Sequence, residues 1–210
     1  MGEKTNKKCF VCLGASNHSN VIREENDFYA TPPIAVEALL KIFNIDKNTP
    51  ILEPCCGKGH ISKILEKNGF KVISNDLIYR GYGNGGINFL LDENKEMNYN
   101  IITNPPYKYA QQFVEKSMEY VKTGNYVIMF LKLTFLEGGK RYKMFQKYPP
   151  KYIYVFSDRV NSSLGGDFEK DNEYGGAVCY AWYIWQKGYN GKPTIDWIKI
   201  QKRLDKNLID

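Results

Sequence analysis

The chain has 210 residues, 43% hydrophobic and 14% aromatic, with five cysteines and a formal net charge of +6. That length and apolar content support one domain with a sizeable core and exclude a mainly disordered chain. No apolar run reaches the roughly 18 residues of a membrane helix, and the opening MGEKTNKK lacks the apolar stretch of a signal peptide, so a reducing cytoplasm is expected.

Residues 1–27 are polar and aperiodic and read as an N-terminal arm ahead of a single domain over 28–210. The odd cysteine count points to free thiols in a reducing compartment. Cys9 and Cys12, with His18 after them, have metal-ligand spacing, but no second pair completes four ligands, so no metal is expected. Pro32 and Pro33 suit the first turn of a helix whose apolar face is Ala35, Val36, Ala38, Leu39, Leu40 and Ile42. Residues 51–53 predict a short strand, 54–59 a glycine-broken loop, 60–68 a helix closed by Gly69, and 71–74 a second strand that runs into Asn75 and Asp76. Strand, glycine loop, helix, strand, acid is the start of a doubly wound α/β sheet.

The alternation continues with a strand over 101–103, a helix over 110–121, an uninterrupted apolar strand over 126–133 and a short basic helix over 140–147. Strands over 152–156 and 178–185 follow, separated by a Gly-, Asp- and Glu-rich loop at 157–176.

Two stretches carry chemistry. In Glu53-Pro54-Cys55-Cys56-Gly57-Lys58-Gly59-His60, glycines at the start of a helix let backbone N–H groups approach a ligand. The third glycine of a dinucleotide fingerprint is replaced by Ser62, while Asp76 stands where a carboxylate accepts hydrogen bonds from ribose hydroxyls. The pair suits a nucleoside without phosphates, and S-adenosylmethionine is one. Glu53 fits the same ligand, because a carboxylate at a strand end is costly unless it meets a cation or a donor. Cys55 and Cys56 have no assignable base and read as small lining residues.

The second stretch is Asn104-Pro105-Pro106-Tyr107, where the apolar strand stops. The prolines fix the chain as a rigid extended corner. An exocyclic amine on a base is a poor nucleophile because its lone pair is delocalised. Two neutral acceptors, the Asn104 side chain and the Pro105 carbonyl, favour a pyramidal nitrogen, and Tyr107 offers a face on which a base turned out of its helix stacks. Catalysis is then mainly positioning. The plainer reading is a strand-to-loop turn, but the corner's place after a nucleoside loop favours the chemical one.

With GASNH (14–18), NDFYATPP (26–33), EPCCGKGH (53–60), SNDLIYRGYG (74–83), GGINFL (85–90), NPPY (104–107) and AWYIWQKGY (181–189), nearly the whole chain resembles the DNA adenine-N6 methyltransferases, in particular small phage-type members. The resemblance implies a Rossmann-like, mostly parallel seven-stranded sheet with an antiparallel final strand. It also implies methyl transfer from S-adenosylmethionine to adenine N6 in DNA. By that likeness Tyr29, Thr31 and Pro32 contact the methionine end of the cofactor, Glu53, Pro54, Cys55, Gly57 and Gly59 form its loop, Asp76 binds its ribose, and Asn88 and Phe89 flank its adenine. Related sequences often carry Asp where Asn88 stands. A separate target-recognition domain is not expected, since only about 25 residues follow the strand expected to end at Trp185. Lys132, Lys140, Arg141 and Lys143 form a basic stretch suited to DNA phosphates. RNA adenine and protein glutamine present the same planar nitrogen and stand as alternative substrates. A nucleic-acid-binding module with a metal site in the arm is the non-enzymatic alternative.

Overall fold

A computed structural model describes residues 29–160, the backbone of 163–164, and residues 178–200. The arm with Cys9, Cys12 and His18, and most of the loop at 157–176, lie outside the described residues. In chain order the elements are β1 (Tyr29–Ala30), α1 (Pro33–Ile42), β2 (Ile51–Glu53), α2 (His60–Lys67), β3 (Val72–Ser74), β4 (Asn100–Thr103), α3 (Ala110–Tyr120), β5 (Tyr126–Lys132), α4 (Tyr142–Lys147), β6 (Tyr152–Phe156), β7 (Ser163–Leu164), β8 (Tyr180–Gln186) and β9 (Thr194–Ile198). Seven strands form one sheet in the order β3-β2-β4-β5-β8-β6-β9, and β1 pairs with β7 separately.

β8 lies antiparallel between β5 and β6, and the other strands of this sheet share one direction. The Rossmann-like, mostly parallel sheet is as expected. The chain then adds β9 as a parallel edge beside β6, in the stretch where no strand was expected. β9 escapes a periodicity reading because its Ile195 and Trp197 are exposed, so its apolar pattern does not report burial.

The centre of the sheet is dry. Val127 to Leu131 of β5 and Tyr180 to Trp185 of β8 are all buried, and alternate residues feed two cores, one on each face. Ile128, Phe130, Trp182 and Ile184 meet α1 and α2 on one face. Val127, Met129, Leu131, Tyr183 and Trp185 join Phe113 and Val114 of α3 on the other. Truncating one such side chain to Ala costs about 2–5 kcal/mol, from lost transfer energy and the cavity left behind. The indoles also tie layers together: Trp182 Nε1 donates to Ala35 O at 3.0 Å and Trp185 Nε1 to Tyr148 O at 3.0 Å.

α1 begins as its prolines dictate, with Pro33 in the first turn and the Ala35 N–H donating to Pro32 O at 2.9 Å. Ile42, expected on its buried face, is exposed where the helix ends. The basic helix expected over 140–147 opens as a 3₁₀ turn, Gly139–Arg141, and is α-helical only from Tyr142. Among the described residues no helix is long and apolar enough to cross a membrane.

Candidate active site

The carboxyl ends of β2, β3 and β4 converge, as the crevice rule for open α/β sheets requires. β2 ends on Glu53 and β3 on Ser74, and the two loops are stitched together. Asn75 N donates to Glu53 O at 2.9 Å, Cys56 N to Asn75 O at 2.9 Å, and Gly57 N to Asp76 Oδ2 at 2.8 Å. Gly59 takes φ +79° at the start of α2, and a Cβ there would lie 2.4 Å from the Tyr82 ring, so neither conformation nor space admits a side chain. Asp76 Oδ1 also accepts from Ile78 N at 2.9 Å, so this carboxylate braces both loops.

Glu53 is 1% exposed. Its Oε2 accepts from Ser62 N at 2.9 Å and from the Ser62 hydroxyl, which lies 2.6 Å from the Ser74 hydroxyl. Burial pushes its pKa up to about 8, against the pull of the Ser62 bonds. Burial also pushes the Cys55 thiol well up and the Cys56 thiol to about 12, so neither is a ready nucleophile. His60 is held low by burial and by Lys63 and Lys58.

The corner closes the other end. Asn104 Nδ2 donates to Tyr29 O at 2.7 Å, which sets the orientation of the amide. Asn104 Oδ1 is buried and accepts no hydrogen bond among the described residues, and the same holds for Thr31 Oγ1. β1 supplies the Tyr29 carbonyl and is itself paired with β7 (Tyr29 opposite Leu164). After Pro106 the chain enters a 3₁₀ turn, Tyr107–Tyr109, that leads into α3. The Tyr107 ring is half-buried against Tyr29 (5.7 Å between centroids) and Tyr180 (6.2 Å), with Lys132 Nζ 4.5 Å from its centroid.

Between these two ends runs a cavity of about 660 Å³. Of the residues singled out in the sequence, Tyr29, Thr31, Glu53, Pro54 and Cys55 line it, as do Asp76, Asn88, Phe89, Asn104 and Pro106. Pro32, Gly57, Gly59, Pro105 and Tyr107 are not among its lining residues. Asn88 Oδ1 accepts from Leu90 N at 3.1 Å, capping a 3₁₀ turn, so Nδ2 is what it can offer a ligand. Phe89 is 3% exposed and stacks on Phe113 (5.7 Å), which makes it core as much as wall.

The wall also uses His60, Leu77, Arg80, Leu91, Lys108 and Tyr109, which the sequence reading missed. Leu77, Leu91 and Tyr109 are large apolar residues left exposed at its rim. Leu77 lies within the quoted stretch 74–83, and Leu91 and Tyr109 follow 85–90 and 104–107 by one and two residues, so their nearness to those stretches was the one signal.

Lys132, Lys140, Arg141 and Lys143 lie off this cavity. Lys140 and Lys143 are exposed, as a phosphate-facing role needs. Arg141 is committed elsewhere: its Nε donates to Phe135 O at 2.8 Å and its Nη2 to Thr134 O at 3.2 Å and to Glu137 O. It clamps the loop after β5.

Among the described residues, a buried carboxyl whose rise no cation offsets and two buried oxygens, Asn104 Oδ1 and Thr31 Oγ1, that accept no hydrogen bond fit a polar ligand that brings donors and a positive charge. S-adenosylmethionine meets that description.

No protein-family model matches the chain and no curated protein matches it in sequence. Solved structures do match in fold. A Listeria monocytogenes protein described as a class I S-adenosylmethionine-dependent methyltransferase aligns with a TM-score of 0.54 at 15% identity, over 92% of this chain and 71% of its own. An Agrobacterium tumefaciens protein described as an O-methyltransferase aligns with a TM-score of 0.57 at 10% identity, over 80% and 86%. A Vibrio vulnificus protein described as the modification subunit of a type I restriction enzyme gives 0.56 at 12% identity, over 87% of this chain and 49% of that one. The fold is thus the one these methyltransferases share.

Proposed function

We propose that the chain, built on the class I methyltransferase fold, transfers a methyl group from S-adenosylmethionine to N6 of an adenine in DNA, with the base turned out of its helix. The observation that carries this reading is Asn104: a buried amide oxygen with no acceptor duty among the described residues, on an amide whose other end is fixed by Tyr29 O. Such an oxygen is suited to an N–H of an exocyclic amine. The Pro105 carbonyl takes the second N–H, and together they free the nitrogen lone pair for attack. Tyr107 supplies the stacking face, steadied by Tyr29 and Tyr180.

The cofactor supplies a methyl group on a positively charged sulfur. Asp76 accepts from its ribose, and Asn88 and Phe89 bound its base, while the Gly57 N–H holds the Asp76 carboxylate in place. Thr31, with Tyr29 and Pro32 beside it, takes the methionine end. Lys140 and Lys143 position DNA phosphates without reading sequence. The likeness to a protein described as a restriction-modification subunit supports the choice of polymer.

The test is incubation with methyl-labelled cofactor and either DNA or RNA, followed by digestion to nucleosides. N6-methyladenine from DNA is expected, falling about 10²–10³-fold in Asn104→Ala, the usual loss when one preorganised polar group is removed. Label in RNA alone, or an undiminished rate in Asn104→Ala, refutes the assignment.

A further inference from the structure

Glu53 is enclosed on one side by hydroxyls and open on the other to the cavity. Both of its described hydrogen bonds reach one oxygen, Oε2, from Ser62. Behind Ser62 stands the Ser74 hydroxyl, and both serines bear on the Tyr82 hydroxyl, which donates to Glu66 Oε1 at 3.0 Å. The ionisable groups facing Glu53 are Asp76 beyond β3, Glu66 on α2, and the Cys55 and Cys56 thiols of its own loop. The two carboxylates oppose a further negative charge and the thiols stay protonated; His60, Arg80 and Lys108 line the same cavity, but none of them counters the rise at Glu53. An isolated carboxylate in this position is too costly to persist at neutral pH.

We propose that Glu53 holds a proton while its end of the cavity contains no cation, and surrenders it when a ligand's ammonium group docks there. The ligand class rests on the methyl-transfer reading, since S-adenosylmethionine and its demethylated product both end in an α-ammonium. The carboxylic O–H bond breaks, its electron pair stays on Glu53, the proton passes to solvent, and the ammonium keeps its own protons. One proton leaves per ligand bound. The Ser62 N–H and O–H then both donate to the new carboxylate, which holds its charge in place. Glu53 is thereby a specificity residue: it rewards a nucleoside that carries an ammonium over one that does not.

The distinguishing readout is proton release. S-adenosylhomocysteine is titrated calorimetrically into the full chain at pH 7 in buffers of different ionisation enthalpy. With Glu53 at about 8, roughly 0.9 proton should leave per ligand, and affinity should rise about tenfold per pH unit between pH 6 and 7.5 before levelling off. 5′-Methylthioadenosine, the same nucleoside without the amino-acid end, should bind with no release, as should S-adenosylhomocysteine in Glu53→Gln. Binding of S-adenosylhomocysteine to the unaltered chain without proton release overturns this inference and leaves methyl transfer standing. Failure of both nucleosides to bind overturns the two together.

Discussion

Replacing Glu53 with glutamine tests the burial argument in the ligand-free protein. The carboxyl rises from an ordinary 4.5 to about 8 on folding, so between those values the folded chain binds more protons than the unfolded one. Stability from this group is complete below pH 4.5 and is lost as pH climbs through 8. The distance between the two values corresponds to roughly 5 kcal/mol, of which about 3 kcal/mol has gone by pH 7. The glutamine side chain in Glu53→Gln does not titrate, and its amide oxygen can still accept from Ser62. The difference in unfolding free energy between the two proteins should therefore drift in favour of Glu53→Gln by about 3 kcal/mol from pH 4.5 to pH 7. Urea denaturation at half-unit steps from pH 4.5 to 8.5 measures it. Parallel stability curves across that window would refute the claim that Glu53 is buried in its neutral form.

Three further outcomes are expected. Gly59→Val should destabilise by about 1–3 kcal/mol from the left-handed backbone alone, with more from the clash at Tyr82. Pairing it with Tyr82→Ala should recover only the steric part, as read by thermal unfolding. Arg141→Ala should cost about 1–3 kcal/mol by freeing the loop carbonyls it holds, with no rescue by Arg141→Lys, whereas Lys140→Ala and Lys143→Ala should leave stability unchanged and flatten the salt dependence of DNA binding. In native protein at pH 8, peptide mapping after alkylation should find exposed Cys179 modified well before Cys56, whose thiolate is only about one part in ten thousand at a pKa of about 12.

Much of this molecule is written locally. The unbroken apolar run of β5, the proline-led start of α1, and Gly69 behind α2 each follow from near-neighbour chemistry, and their elements stand within a residue or two of expectation. The same holds for the identities of Glu53, Asp76 and Asn104, because strand-end position and residue type are both visible in one dimension. The chemistry of those residues was decided elsewhere. The Asn104 amide is oriented by a carbonyl 75 residues away, and Arg141, which looked like one more cation in a basic run, spends its guanidinium on carbonyls of its own loop. Hydrogen-bond partners at long separation leave no periodicity and no spacing to read. Only the packed sheet, which brings the ends of β2, β3 and β4 together, determines that Asn104 Oδ1 is buried beside the cavity without a hydrogen bond among the described residues.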